Sequence, residues 1–247
     1  MLLTQLKMQK NKGCSITVCS CSSSDGIMNR NELLKLVSAL KNAHYEVTVM
    51  PDLCKTAISD AAQMAAIATT TVIACYPRAV KSIFSYAGLK PPQVFDIRNH
   101  PSEVILSEMG ISQPIVTSNQ SFSALVPEKP CCKFETERAY PAWYPVIDKE
   151  RCTKCGKCHD FCLFGVYAIS EGTVKVANPQ NCKDDCPACA RVCPSKAIIF
   201  PKYKKSPING GLLDEEQFGE TETKMLYDIA LKRKLKERRA KVSLFKN

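Results

Sequence analysis

The sequence predicts two folded units in one chain: an α/β unit with a mostly parallel sheet, followed by a smaller α+β unit rich in cysteine. Residues 15–110 alternate short apolar runs with helical patterns, whereas residues 152–193 hold eight cysteines in two spaced runs. Between them the alternation stops and Ser, Pro, Thr and Asn recur, as in a connecting segment. A length of 247 residues is enough for two domains. The predicted boundaries are an α/β domain over 1–112, a linker over 113–143, a cysteine-rich domain over 144–204 and a basic helical tail over 205–247.

In the first unit, short β-branched and apolar runs predict strands, and apolar residues at helical spacing predict helices. Strands that alternate with helices imply a mostly parallel sheet covered on both faces, whose functional groups gather at the carboxyl ends of the strands. The predicted strands are 16–19, 46–49, 70–74 and 94–97, and the predicted helices are 31–43, 58–67, 79–86 and 101–109.

The two cysteine runs have the spacings C-x2-C-x2-C-x3-C and C-x3-C-x2-C-x3-C-P. Three closely spaced cysteines bind one face of an iron–sulfur cube, and the fourth is too far along the chain to close the same cube. It ligates the cluster of the other run. We therefore expect two [4Fe-4S] clusters, with cluster I on Cys152, Cys155, Cys158 and Cys193, and cluster II on Cys162, Cys182, Cys186 and Cys189.

Zinc is the competing interpretation, since C-x2-C pairs also suit tetrahedral zinc. Zinc needs two pairs for each ion, whereas each run here has four thiols with the last one set three residues on. An internal repeat also favours clusters, because the last three cysteines of the first run recur 31 residues later, each followed by an apolar segment.

Residues 144–202 resemble the bacterial-type two-cluster ferredoxins in these cysteine runs and in the repeat. The resemblance implies a small α+β domain in which a strand at 145–147 pairs with 197–200, and 167–169 forms a hairpin with 173–176. The sequence departs from the family at Leu163, where proline is usual, and in the longer first gap of the second run. Both departures should alter cluster II locally without removing a ligand.

Four further cysteines follow three of the strands predicted for the α/β unit. Loops at one end of a parallel sheet meet in space, so these cysteines predict a third [4Fe-4S] cluster. The alternative is that they are buried free cysteines that pack as small hydrophobic residues. Cys14, Cys131 and Cys132 have no completing partners and are expected not to be ligands. The four candidate ligands are Cys19, Cys21, Cys54 and Cys75.

The segments VCSC (18–21), PDLC (51–54), TVIACYPR (71–78) and FDIRNHPSEVI (95–105), in this order, resemble the amino-terminal domain of the flavin-containing subunit of heterodisulfide reductase. In that family the domain carries cysteine-bound iron–sulfur chemistry, which the resemblance implies for residues 14–110. The sequence departs from the family at Ser22, where glycine is usual, and at Tyr76, where serine is usual. It also contains no G-x-G-x-x-G motif, so no flavin is expected in this chain.

Charge and hydropathy limit the partners. The formal charge is +10, and the segment after Phe200 holds twelve Lys and Arg against seven Asp and Glu. Basic character is thus mostly a property of the tail, without interleaved aromatics, which argues against nucleic acid. The tail is expected to be a solvated helix or a docking peptide for a partner enzyme. No apolar stretch is long enough to span a bilayer, and cysteines at cluster spacing need a reducing compartment, so a cytoplasmic location is expected.

The function that these patterns favour is iron–sulfur electron transfer, as a subunit or dedicated partner of a larger oxidoreductase such as one that holds the missing flavin. No nucleophile–base pair, open metal site or phosphate loop is legible, so no catalytic activity of its own is assigned. Two alternatives stay open: a redox-sensing or regulatory binding protein with structural clusters, and an enzyme whose amino-terminal cluster reduces a disulfide. The last rests on family analogy alone.

Overall fold

The computed structural model describes residues 15–21, 28–111, 142–211 and 213. The chain divides into two compact units, Met1–Ala142 and Trp143–Asn247. The predicted linker therefore lies almost wholly outside the described residues, and so does the helix expected near the carboxyl end. Where the structure describes the chain, it contains no helix both long and apolar enough to cross a bilayer.

The first unit is a four-stranded sheet with strand order β2-β1-β3-β4, and every neighbouring pair is parallel. This arrangement confirms the predicted α/β class. The elements are β1 (Ser15–Cys19), α1 (Arg30–Asn42), β2 (Glu46–Met50), α2 (Leu53–Ser59), α3 (Ala61–Ile67), β3 (Thr71–Ala74), α4 (Pro77–Tyr86), β4 (Val94–Asp96) and α5 (Ser102–Glu108).

The helix predicted over 58–67 is wrong in one respect, because two short helices, α2 and α3, occupy this part of the chain. Asp60 separates them. Its backbone is non-helical, with φ −144°, and its carboxylate accepts a hydrogen bond of 2.8 Å from the Gln63 amide. A short polar side chain that caps a following helix competes with continuation of the preceding one.

Alternate residues of β1 point to opposite faces of the sheet. Ile16 and Val18 are fully buried against Leu36 and Leu40 of α1 and against Ile105 of α5. Helix α1 packs with α5, and α2 packs with α4. The chain moves outward from β1 to β2 and then crosses to β3 on the other side of β1. The sheet therefore has its topological switch point between β1 and β3, where open α/β sheets place their ligands.

The second unit contains two small antiparallel pairs of strands. Val146 pairs with Ile199 and Ile147 with Ile198, as the sequence predicted, while Tyr167 pairs with Val176 in the predicted hairpin. The elements are β5 (Val146–Ile147), α6 (Lys157–Phe161), β6 (Tyr167–Ser170), β7 (Thr173–Val176), a 3₁₀ turn (Pro179–Asn181), α7 (Ala188–Arg191) and β8 (Ile198–Ile199).

A turn after β8 closes this unit. Residues 206–211, which the sequence assigned to the tail, are buried, and the Phe200 amide donates a 2.7 Å hydrogen bond to the Ile208 carbonyl. The Trp143 ring stacks on Phe200 at a centroid distance of 5.1 Å. The aromatic pair thus joins the segment before β5 to the strand end after β8.

One carboxylate links two helices of the α/β unit. Glu32 of α1 accepts hydrogen bonds from the Ser102 amide at 2.8 Å, the Ser102 hydroxyl at 2.7 Å and the Lys35 ammonium at 2.9 Å. These bonds, the Ser102 amide first, lower the pKa of Glu32 to about 2. Because the folded pKa lies below the ordinary value of 4.5, the carboxylate stabilises the fold above about pH 4.5, and this contribution is lost as the pH falls towards 2.

We therefore predict that Glu32→Gln destabilises the α/β unit by about 1–2 kcal/mol at pH 7, since charged acceptors make the stronger hydrogen bonds. Urea unfolding followed by circular dichroism measures the change. The difference from the parent should shrink below pH 4.5 and disappear near pH 2. Glu108→Gln, an exposed change on α5, is the matched control and should leave stability within about 0.5 kcal/mol. A pH-independent difference would show that the ionised form of Glu32 is not what stabilises the domain.

Candidate metal centres

The second unit contains an open pocket of about 300 Å³ lined by four cysteines, three from the first run and one from the second. Backbone between Thr153 and Lys157 forms one wall, and Ala197 with Ile198 forms another. The pocket thus brings together the four thiols assigned to cluster I: Cys152, Cys155, Cys158 and Cys193.

The thiols of this first set interact electrostatically. Burial, and then the neighbouring Cys193, Cys152 and Cys155, raise the pKa of the Cys158 thiol to about 12. Cys193 Sγ also accepts a hydrogen bond of 3.3 Å from the Ala197 amide. Buried thiols that repel each other's charge stay protonated on their own, so they ionise together only when positive metal charge compensates them.

A second set forms where the first run ends. Burial raises the pKa of Cys182 to about 12, and the neighbouring Cys186 and Cys162 act in the same direction. Burial likewise raises the pKa of Cys189, whose next neighbours include Cys182 and Cys162. The structure therefore brings Cys162 of the first run close to the three cysteines of the second run.

The two sets adjoin each other at Tyr167. Its hydroxyl donates a hydrogen bond of 3.1 Å to Cys189 Sγ, and both side chains are buried. Cys158 of the first set lies near enough to Cys189 and to Tyr167 to raise the pKa of both. Sequence reasoning missed this tyrosine. The signal that could have found it is that the repeat places an apolar residue, Ile198, at the equivalent position.

Left-handed backbone turns shape the loops that carry these thiols. Gly156 has φ 76°, a conformation that favours glycine, and Lys154 and Asp185 have φ 58° and 55°. Lys154 and Asp185 each come directly before a cysteine, Cys155 and Cys186. Both loops therefore curve around their cysteines in the same way.

The donor sets fit [4Fe-4S] clusters, for which four cysteine thiolates are the standard ligands. A single zinc ion would need four sulfurs about 2.3 Å from one point, whereas in a cube each thiolate binds a different iron. Within the described ranges, no three or more His, Cys, Asp or Glu side chains form a group that could hold a metal ion. The twelve cysteines of those ranges are free thiols. Cys14, Cys131 and Cys132 lie outside them.

The four cysteines of the α/β unit lie at the carboxyl edge of the sheet, at the ends of its three adjacent strands. Cys19 ends β1 and Cys21 follows it with φ 49°. Cys54 lies in the first turn of α2, after β2, and Cys75 follows β3. Cys19, Cys21 and Cys54 are buried, and Cys75 is half-buried.

Cys19 is the centre of this third set. Burial raises its pKa, and Cys21, Asp52 and Cys75 are close enough to act in the same direction. The Leu53 amide opposes them by donating a hydrogen bond of 3.4 Å to Cys19 Sγ. The structure thus groups Cys19 with Cys21 and Cys75, and it places Cys54 next to the residue that bonds to Cys19.

Comparison with known proteins finds ferredoxins. No family model matches the chain. The chain is 47% identical over 64 residues to an uncharacterized ferredoxin of Methanocaldococcus jannaschii, which covers 26% of this chain and 44% of that protein. A second uncharacterized ferredoxin of the same organism is 31% identical over 61 residues, or 24% of this chain and 79% of that protein. Ferredoxin-3 of a Nostoc species is 32% identical over 72 residues, or 22% of this chain and 73% of that protein.

The chain spans less than half the length of the first of these relatives but most of the length of the other two. The matched part is about a quarter of this chain in each case. The resemblance of residues 14–110 to heterodisulfide reductase stays a prediction. Through a domain of about a quarter of its length, the chain belongs to the ferredoxins.

Proposed function

We propose that this protein is an iron–sulfur electron carrier whose ferredoxin domain holds two [4Fe-4S] clusters. The observation that carries the proposal is the crossed grouping of the thiols, in which Cys193 joins the first run and Cys162 joins the second. A chain that crosses in this way satisfies two four-thiol sites with eight cysteines. The ferredoxin names of the relatives support the same function.

A bound cluster supplies a one-electron redox couple. The residues around it supply the rest. Buried walls such as Val174 and Ile198 keep water from the first site, and the Ala197 amide donates a hydrogen bond to Cys193 Sγ. Burial and hydrogen bonds to sulfur are the protein's means of setting a cluster's potential.

The α/β unit supports a third cluster on Cys19, Cys21, Cys54 and Cys75. These cysteines gather at the switch point of the sheet, where the Leu53 amide already donates to one of the sulfurs. In this proposal the whole chain is a subunit or dedicated partner of a larger oxidoreductase and carries electrons for it. A flavin in that partner would complete the chemistry that the chain lacks.

The edge through which electrons leave is proposed from exposure and charge. Among the described cysteines only Cys155 is exposed, and Lys154 and Lys157 flank it on the rim of the first pocket. At the equivalent corner of the second site Asp184 and Asp185 precede Cys186. The basic corner suits an acidic face of a redox partner.

The ligand assignment predicts a crossed pattern of damage. Cys162→Ser should perturb the electron paramagnetic resonance signal of the cluster bound by the second run, and Cys193→Ser that of the cluster bound by the first run, because each side chain belongs to the other run's site. The reverse pattern would show that each run closes its own cube.

The third cluster predicts the metal content. Protein purified without oxygen should hold about twelve irons, against about eight for the ferredoxin domain alone. The double variant Cys54→Ser, Cys75→Ser should lose about four irons and keep the others. Cys131→Ser, Cys132→Ser is the matched control and should lose none. Unchanged iron in the first variant refutes the third cluster and leaves the other two standing.

The docking corner predicts a salt-dependent electron-transfer rate. With Lys154→Glu, Lys157→Glu, electron transfer to an anionic one-electron acceptor such as ferricyanide should slow by about tenfold at low ionic strength. The difference should fade as salt screens exposed charge over about 8 Å at 0.15 M. Stopped-flow absorbance measures the rate. Lys81→Glu, Lys90→Glu changes the net charge equally on the α/β unit and is the control. Equal slowing in both variants would show that net charge alone, and not this corner, controls the reaction.

A further inference from the structure

The two halves of the ferredoxin domain share backbone geometry at positions 31 residues apart. Besides the matching cysteines, left-handed backbone recurs at two such pairs of positions. The second pair follows the last cysteine of each run. The pairs are Lys154 at φ 58° with Asp185 at φ 55°, and Gly165 at φ 67° with Lys196 at φ 51°. Side chains that are 31 residues apart therefore occupy equivalent places beside the two cysteine sets.

At one pair of equivalent positions the side chains differ in kind. Ile198 begins β8, lines the first pocket near Cys158 and offers only hydrocarbon. Tyr167 begins β6, and its hydroxyl donates a 3.1 Å hydrogen bond to Cys189, the equivalent of Cys158. One site therefore has a hydroxyl donor on its third cysteine, and at the matching place the other site has an apolar side chain.

The bond to Cys189 lies in a setting that strengthens it. Tyr167 is 5% exposed and Cys189 is 7% exposed. Burial first, and then the nearby sulfurs, raise the pKa of Tyr167 well above its ordinary value, so the proton stays on the oxygen. In a low-dielectric interior such a bond is electrostatically stronger than in water.

We propose that Tyr167, acting through Cys189 as a positioning residue, makes the two cluster sites unequal by raising the reduction potential of the cluster on Cys162, Cys182, Cys186 and Cys189. Reduction adds negative charge to the sulfur ligands, and the hydroxyl proton stabilises that charge. The first site has no such hydroxyl at the equivalent position, Ile198. The inference rests on the two-cluster assignment proposed above.

An opposing charge lies near the same site. The Asp184 carboxylate raises the pKa of Cys182 and would disfavour an added electron. Asp184 is exposed and therefore screened by water and salt. A substitution at Tyr167 alone leaves this carboxylate in place, so the change in potential reports the hydroxyl.

The test is Tyr167→Phe in the full chain, purified without oxygen. The ring is kept and the hydroxyl removed, so iron content should stay at the parent value. The potential of the cluster that holds Cys189 should become more negative, while that of the other cluster stays unchanged. Redox titration followed through the hyperfine-shifted NMR signals of the Cys189 and Cys158 β-protons assigns each potential. Tyr203→Phe is the matched control, because that hydroxyl bonds to Arg191 instead of to a sulfur. It should leave both potentials unchanged.

A second variant reverses the sign. Placing 3-fluorotyrosine at position 167 makes the hydroxyl more acidic and a stronger donor, so the same potential should become less negative. If Tyr167→Phe loses iron, this variant decides alone, and a missing upward shift overturns the inference. Unshifted potentials, or equal shifts of both clusters, at full iron content overturn the inference and leave the electron-carrier function intact. A parent protein without about eight irons in the ferredoxin domain overturns both.

Discussion

The structure of the ferredoxin domain depends on the burial of thiols that must become thiolates. Cys158, Cys182 and Cys189 lie out of water and close to other sulfurs, and both effects raise their pKa values. As neutral thiols these side chains pack like small hydrophobic residues, but a set of buried thiolates is stable only beside positive metal charge. Metal binding and the native arrangement of this domain are therefore linked, and cluster assembly must release protons.

Crossing of the chain follows from the same constraint. Each pocket needs a fourth sulfur that its own run cannot supply, so Cys193 lies with the first run and Cys162 with the second. The strand pair Val146–Ile147 and Ile198–Ile199 brings the two ends of the domain together, and the Trp143–Phe200 contact covers that junction. Neither half can complete its site without the other, which makes the repeat a single cooperative unit.

The α/β unit uses a different means to gather cysteines. Its parallel strands end at one edge, and the order β2-β1-β3-β4 brings the cysteines of three adjacent strands to the switch point. Here Cys19 also accepts a hydrogen bond from the Leu53 amide at the start of a helix, where backbone N–H groups have no partner within the helix. In both units, then, backbone amides next to sulfur, Leu53 here and Ala197 in the ferredoxin domain, offset part of the cost of burying negative charge.

The sequence by itself determined the class of each unit, because alternating periodicity and the spacing of eight cysteines are local patterns that few folds satisfy. It also predicted the pairing of β5 with β8, since the repeat marks both strand ends. It erred at Asp60, where capping interrupts a helix that composition alone would continue. Only the tertiary structure decided that Tyr167 bonds to Cys189, that Cys155 is the exposed thiol and that Leu53 donates to Cys19. These contacts join residues up to 34 positions apart, and their geometry depends on strand order and burial, which no local pattern encodes.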